Sequence, residues 1–145
     1  VTLVTAESCT GGNLARKIVS VPGSSSYYLG STITYQNELK ESWLKVPKQI
    51  IEENGAVSEQ TVEAMVRGIL NQSGADLAVS ISGVAGPGGG SKEKPVGTIW
   101  IAWGNHALIE TKKLQLWTNR QKNIEYTTAY CLNMLIKFLK HHYLA

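Results

Sequence analysis

The chain has 145 residues, of which 43% are hydrophobic and 17% charged, and its formal net charge at pH 7 is +3. These values are typical of a globular protein, and we expect one domain over residues 1–145. Every apolar run is far shorter than the roughly 20 residues that cross a membrane, and the positive charges are too scattered for a nucleic-acid-binding surface. We therefore expect a cytoplasmic protein with neither a membrane nor nucleic acid as a partner.

Short β-prone segments alternate with helical patterns along the chain. The predicted strands cover residues 1–5, 31–35, 77–81, 96–103 and 107–117. Five helices are predicted. The first begins after Gly12, the second has Asn37 as its N-cap, the third begins at Pro47, the fourth has Ser58 as its N-cap, and the fifth begins at Thr118 or Asn119. The expected buried face of the last helix consists of Ile124, Thr128, Cys131, Leu132, Leu135, Ile136 and Leu139. This order predicts a layered α/β fold whose sheet is partly parallel and includes an antiparallel hairpin.

Two glycine-rich loops follow predicted strands, at residues 7–12 and 82–90. Ligands of α/β proteins collect at the carboxyl ends of parallel strands, so we expect both loops to border one pocket. Ser8, at the strand-to-helix turn, is a candidate nucleophile whose neighbouring amides could hold an oxyanion. The alternatives are that the hydroxyl residues only cap a helix and that the second loop is a flexible connection.

A serine nucleophile needs a base, and the three histidines lie in a predicted hairpin turn and at the C-terminal end. Lys40 is the better candidate. Asn37 lies three residues before it, and Trp43 and Leu44 lie three and four after it, so it shares their helical face. Burial there would let the amine be neutral near pH 7. The alternative is that Lys40 extends past Trp43 to water.

The two cysteines, Cys9 and Cys131, have no metal-ligand spacing; reduced thiols are the simpler expectation, with a disulfide as the alternative. Arg120 stands at the predicted start of the last helix, where the helix dipole disfavours a cation. It is therefore a candidate for a ligand phosphate or carboxylate, and a solvent-exposed arginine is the equal alternative.

Six blocks of the sequence resemble one known family, the CinA C-terminal domain, which also occurs alone as nicotinamide mononucleotide amidase. They are TAESCTGG at 5–12, PGSS at 22–25, TYQNELK at 34–40, GAVS at 55–58, SGVAGPGG at 82–89 and KPVGT at 94–98. The blocks occur in family order, and beyond Trp117 the resemblance is weak. The resemblance implies a three-layer α/β/α sandwich with a mixed, mostly parallel sheet and a C-terminal antiparallel hairpin.

The resemblance also implies an activity, the hydrolysis of the carboxamide of nicotinamide mononucleotide to nicotinate mononucleotide and ammonia. The family's serine–lysine pair falls on Ser8 and Lys40, with Tyr35 and Asn37 orienting Lys40 or the carboxamide. The remaining substrate-binding residues that it implies are Cys9, Thr10 and Gly11 around the oxyanion, and Ser82, Gly83, Gly86 and Arg120 along the ribose phosphate. It implies no metal, no cofactor and a homo-oligomer. The competing interpretations are a non-catalytic nucleotide-binding module and an amidase whose nucleophile is Cys9.

Overall fold

The computed structural model describes residues 1–144, which form a five-stranded sheet between two layers of helices. The strands are β1 (Leu3–Glu7), β2 (Tyr28–Ile33), β3 (Leu77–Gly83), β4 (Thr98–Gly104) and β5 (Ile109–Gln115). The helices are α1 (Asn13–Val19), α2 (Asn37–Leu44), α3 (Lys48–Asn54), α4 (Glu59–Ser73) and α5 (Arg120–His142), with a 3₁₀ turn at Ser24–Ser26. The strand order is β2-β1-β3-β4-β5.

Strand directions match the predicted fold class. β1 runs parallel to β2 on one side and to β3 on the other, whereas β4 runs antiparallel to β3 and β5. Four of the five strands therefore point the same way, and β4–β5 is the expected antiparallel hairpin. The three-layer α/β/α fold is confirmed.

Alternation along the strands sends side chains to two separate cores. Leu3, Leu77 and Val79 pack with α1 and α5 on one face. Val4, Ala6 and Ala78 pack with α2, α3 and α4 on the other. Successive residues of β1 and β3 thus face opposite sides of the sheet. This alternation decides which side of the sheet carries the last side chain of each strand.

Helix α4 is placed by signals that the sequence carries. The Ser58 hydroxyl accepts a hydrogen bond from the Thr61 N–H, and Gly74 closes the helix at φ 70°, a left-handed conformation that glycine adopts without strain. Gly68 lets α2 approach closely, because a Cβ there would collide with the carbonyl of Leu44. This close approach positions α2, and with it the side chain of Lys40.

Several predicted boundaries are wrong. β2 begins at Tyr28 and ends at Ile33, because pairing with β1 decides its extent rather than the β-branched residues alone. Asn37 is the first helical residue of α2, and Gln36 occupies the N-cap. β3 continues through Ser82 and Gly83, which the sequence placed in a loop.

The buried face of α5 also differs from the prediction. Ile136 is 49% exposed, and Phe138 is buried. Asn123 and Thr127 are fully buried, and the Thr127 hydroxyl donates to the Asn123 carbonyl, which satisfies it inside the core. A search for apolar periodicity misses such polar core residues. Within residues 1–144, none of the helices is long and apolar enough to cross a membrane.

Candidate active site

The turn between β1 and α1 is built around a buried carboxylate, that of Glu7. Its oxygen Oε1 accepts from the Thr10 hydroxyl at 2.7 Å and from the Leu14 N–H at 3.0 Å, and Oε2 accepts from the Ala15 N–H at 3.0 Å. Glu7 thus satisfies the free amides of the first turn of α1 and places a negative charge at the positive end of the helix. The sequence analysis gave Glu7 no role.

Ser8 follows Glu7 directly, and its hydroxyl oxygen lies 3.1 Å from the side-chain nitrogen of Lys40. The same nitrogen donates to the backbone carbonyls of Thr34 at 2.7 Å and of Tyr35 at 3.3 Å. Those carbonyls lie just beyond the end of β2, where they are free of the strand ladder. Three neighbours therefore surround the amine: two fixed acceptors and one hydroxyl.

Lys40 is 1% exposed, and burial lowers the pKa of its ammonium group from 10.5 to about 8. The alternative of a lysine extending to water is therefore wrong. The residues that bury it are not those expected, since Trp43 is 51% exposed and only Leu44 among its predicted helical neighbours is buried. The cover comes instead from the Ser8 turn and from the chain that leaves β2.

Cys9 lies beside Ser8 and is also buried. Burial raises the pKa of its thiol to about 12, so the group remains protonated near neutral pH. Because the thiolate is the nucleophilic form, this environment disfavours a Cys9 nucleophile. Among the described residues, Cys9 and Cys131 are both free thiols, and no disulfide joins them.

A cavity of about 290 Å³ opens in front of Ser8 and Lys40. Nine of the eleven residues proposed from the sequence line it: Ser8, Cys9, Tyr35, Asn37, Lys40, Ser82, Gly83, Gly86 and Arg120. Further lining residues are Val84, Ala85, Gly88 and Gly89 of the loop expected at the pocket, and Ala56 and Val57, to which the sequence analysis gave no role. The two predicted strand ends do therefore border one pocket.

Thr10 and Gly11 are the two proposed residues that the structure does not bring to the cavity. The Thr10 hydroxyl is directed at Glu7, and the Gly11 N–H donates to the Ser8 carbonyl at 3.0 Å. The N–H groups of Cys9 and Thr10 have no backbone acceptor within residues 1–144. Of these two residues only Cys9 lines the cavity, so its amide, rather than that of Thr10 or Gly11, is the one that can reach an oxyanion there.

Arg120 closes the far side of the cavity. Its guanidinium donates to the Gly86 carbonyl at 2.6 Å and to the Tyr35 hydroxyl at 3.1 Å, so it bridges the glycine-rich loop and the chain after β2. Asn123, one turn further along α5, donates to the carbonyl of Ala85 at 3.0 Å. Fully buried Asn123 therefore ties the glycine-rich loop to α5, a role that only a contact distant in sequence reveals.

The glycine-rich loop offers backbone donors to the cavity. Gly86, Gly88 and Gly89 line it, and their N–H groups make no hydrogen bond within residues 1–144. Free amides beside a guanidinium form a site that suits a phosphate or carboxylate. Across the described part of the chain, no three His, Cys, Asp or Glu side chains group together in a way that could hold a metal ion.

Comparison with known proteins shows the family to which this chain belongs. The family model of the CinA C-terminal domain matches residues 1–139, which includes the region beyond Trp117 where the sequence resemblance was weak. The chain belongs to the CinA C-terminal domain family. A CinA-like protein of Cytophaga hutchinsonii is 49% identical to this CinA C-terminal domain over 96% of the chain and 33% of its own length. The chain thus spans about a third of the length of this relative.

A second relative is close to this CinA C-terminal domain in length. The nicotinamide-nucleotide amidohydrolase PncC of Pseudomonas putida is 45% identical over 93% of this chain and 84% of its own. Among solved structures, the competence damage-inducible protein A of Klebsiella pneumoniae superposes with a TM-score of 0.94. It is 37% identical, and the match covers 97% of this chain and 88% of that one.

Proposed function

We propose that this chain is an amidohydrolase that converts nicotinamide mononucleotide to nicotinate mononucleotide and ammonia through a Ser8–Lys40 dyad. The observation that carries the proposal is the 3.1 Å approach of the Lys40 nitrogen to the Ser8 hydroxyl within a buried site. The relative named as a nicotinamide-nucleotide amidohydrolase supports the substrate.

The surroundings of Lys40 fit the role of a general base. A neutral primary amine has two N–H groups and one lone pair. The carbonyls of Thr34 and Tyr35 take the two N–H groups, so the lone pair is directed at the remaining neighbour, the Ser8 hydroxyl. With a pKa of about 8, about a tenth of the amine is neutral at pH 7 and about half at pH 8. The same group, once protonated, is acidic enough to return the proton.

The reaction then follows in balanced steps. Lys40 takes the Ser8 proton as the oxygen attacks the carboxamide carbon, and the amide of Cys9 holds the oxyanion. The Lys40 ammonium protonates the nitrogen, the carbon–nitrogen bond breaks, and ammonia leaves an acyl-enzyme on Ser8. Lys40, neutral again, deprotonates a water that attacks the ester, and Ser8 regains its proton as nicotinate mononucleotide departs.

The other end of the cavity suits the nucleotide phosphate. Arg120 supplies a guanidinium, and the N–H groups of Gly86, Gly88 and Gly89 supply uncharged donors. The pyridine ring then lies between Ser8 and the loop, against the apolar side chains of Val57 and Val84. No metal or cofactor takes part in this proposal.

The test is ammonia release from nicotinamide mononucleotide by the wild type and by Ser8→Ala and Lys40→Met, with circular dichroism to establish folding. Lys48→Met, at an exposed position on α3, is the control for loss of a lysine charge, and Cys9→Ala tests the rival nucleophile. We expect Ser8→Ala and Lys40→Met to lose activity by roughly 10³-fold or more while both controls retain it.

Two outcomes would redirect the assignment. If the folded wild type binds the nucleotide in calorimetry and releases no ammonia, the domain is a nucleotide-binding module. Activity that survives Ser8→Ala and is lost in Cys9→Ala would instead transfer the nucleophile to Cys9.

A further inference from the structure

Ser82 is a buried hydroxyl in the cavity that the proposed mechanism leaves unused. It is 2% exposed and lines the cavity. Within residues 1–144 the fully enclosed side-chain oxygens without a hydrogen-bond partner are those of Thr32 and Thr34, and the Ser82 oxygen is not among them. The Ser82 hydroxyl thus belongs to the cavity wall, where a ligand can contact it.

The sheet register places Ser82 beside Ser8. β1 and β3 are parallel neighbours whose pairing runs from Leu3–Leu77 to Ala6–Ser80, and the same offset continued by two residues sets Ser8 opposite Ser82. Adjacent strands lie about 4.8 Å apart. The family resemblance implied a place for Ser82 along the ribose phosphate, but Arg120, the proposed phosphate ligand, bonds Gly86, four residues further on.

The two hydroxyls also share a face of the sheet. The Ser80 hydroxyl donates to the Val62 carbonyl of α4, so Ser82, two residues on, is directed to the same side. Ser8 faces this side too, because it meets Lys40 of α2, which packs on α4. Ser8, Lys40 and Ser82 therefore converge on one end of the cavity.

We infer that Ser82 contacts the carboxamide nitrogen of the substrate, an inference that rests on the proposed function. Its oxygen accepts one N–H of the planar carboxamide, which turns the carbonyl oxygen towards the amide of Cys9. In the tetrahedral intermediate, the Ser82 O–H donates to the nitrogen lone pair until Lys40 protonates it. Ser82 gains and loses no proton, and the carbon–nitrogen bond breaks with the Lys40 proton on the departing ammonia.

This role has a specific consequence, since Ser82 assists a leaving nitrogen and is not needed for a good leaving oxygen. The amide substrate and the trifluoroethyl ester of nicotinate mononucleotide give the same acyl-enzyme. They differ only in the group that leaves, and the alkoxide departs without first gaining a proton. Loss of the hydroxyl should thus separate the two substrates.

The experiment measures kcat and KM of the wild type, Ser82→Ala and the matched control Ser80→Ala with both substrates. We expect Ser82→Ala to lower kcat for the amide by about 10- to 100-fold, the effect of one strong hydrogen bond, and to change kcat for the ester by less than about threefold. Ser80→Ala, on the same strand face but outside the cavity lining, should keep the wild-type kcat for both.

Each other outcome overturns the inference. Equal losses with amide and ester would make Ser82 a structural support of Ser8, and a raised KM with unchanged kcat would return it to the ribose phosphate. Wild-type behaviour of Ser82→Ala would remove it from the site. In all three cases the proposed function would still be supported by ammonia release from the wild type and by its loss in Ser8→Ala. A wild type that releases no ammonia would overturn the proposed function together with this inference.

Discussion

The Thr10 hydroxyl donates a 2.7 Å hydrogen bond to the Glu7 carboxylate inside the turn that carries Ser8. Glu7 is fully buried and accepts two further bonds from the amides of Leu14 and Ala15. The turn is thus held from within by one side chain, and the positions of Ser8 and of the Cys9 amide depend on its geometry.

Replacing Glu7 by Gln should destabilise the fold and slow catalysis. A glutamine keeps one acceptor oxygen and turns an NH₂ group towards a backbone or hydroxyl donor, which leaves a buried donor unsatisfied. We expect a loss of about 1–3 kcal/mol in the free energy of unfolding, measured in urea. Glu93→Gln, at an exposed position, is the control and should change this value by less than about 0.5 kcal/mol. Equal stability of Glu7→Gln and wild type would show that the carboxylate does not hold the turn.

The rate of amide hydrolysis should increase with pH through the titration of Lys40. The general base is the neutral amine, which predominates above its pKa of about 8. A plot of log kcat/KM against pH should therefore rise with unit slope below that value and level off above it. Measurement between pH 6 and 9.5 checks this. A profile without any change of slope between pH 7 and 9 would exclude Lys40 as the base.

The stability of the protein should depend on pH through the same group. The pKa of Lys40 is about 8 in the folded protein and 10.5 as an ordinary lysine, so between these values the unfolded chain binds more protons. Stability therefore rises with pH in that range, by up to about 1.4 kcal/mol per pH unit. Urea unfolding of the wild type and Lys40→Met at pH 7 and 9.5 isolates this effect. The wild type should gain stability relative to the variant, and an unchanged difference would contradict the buried amine.

Cys9 should be inert towards thiol reagents and dispensable for catalysis. Its thiol is buried and its pKa is raised to about 12, so almost no thiolate forms at pH 8. Cys9→Ala should keep kcat within about threefold, and the native protein should react with a maleimide far more slowly than the urea-unfolded chain does. Rapid labelling of Cys9 in the folded protein, located by mass spectrometry, would contradict the prediction that its thiol is unreactive.

Arg120 should determine affinity for the nucleotide more than the rate of the chemical step. Its guanidinium lines the same cavity as Ser8 and bonds Gly86 and Tyr35. Loss of a charge-assisted contact to phosphate, worth about 1.5–3 kcal/mol, predicts that Arg120→Met raises KM by about 10- to 150-fold while kcat changes little. Lys122→Met, an exposed position on the same helix, should leave KM unchanged. A fall in kcat without a change in KM would place Arg120 in the chemical step instead.

The sequence by itself determined the layered α/β fold, the strand-to-helix turn with Ser8, and Lys40 as the leading candidate for the base. These features depend on local signals: apolar periodicity, glycines after strands, and the helical spacing that places Lys40 with Leu44. Such signals involve residues that are close in the chain, and they can be read without knowledge of how distant segments meet.

Only the tertiary structure decided how the site is assembled. Ser8 and Lys40 are 32 residues apart in the chain, and Arg120 and Tyr35 are 85 apart. The carbonyls that orient Lys40 belong to backbone just past a strand whose end is set by pairing with β1, and the position of Ser82 follows from the register of β1 and β3. Register and packing between distant segments depend on the whole sheet and both cores forming together, which is why no local pattern in the chain predicts them.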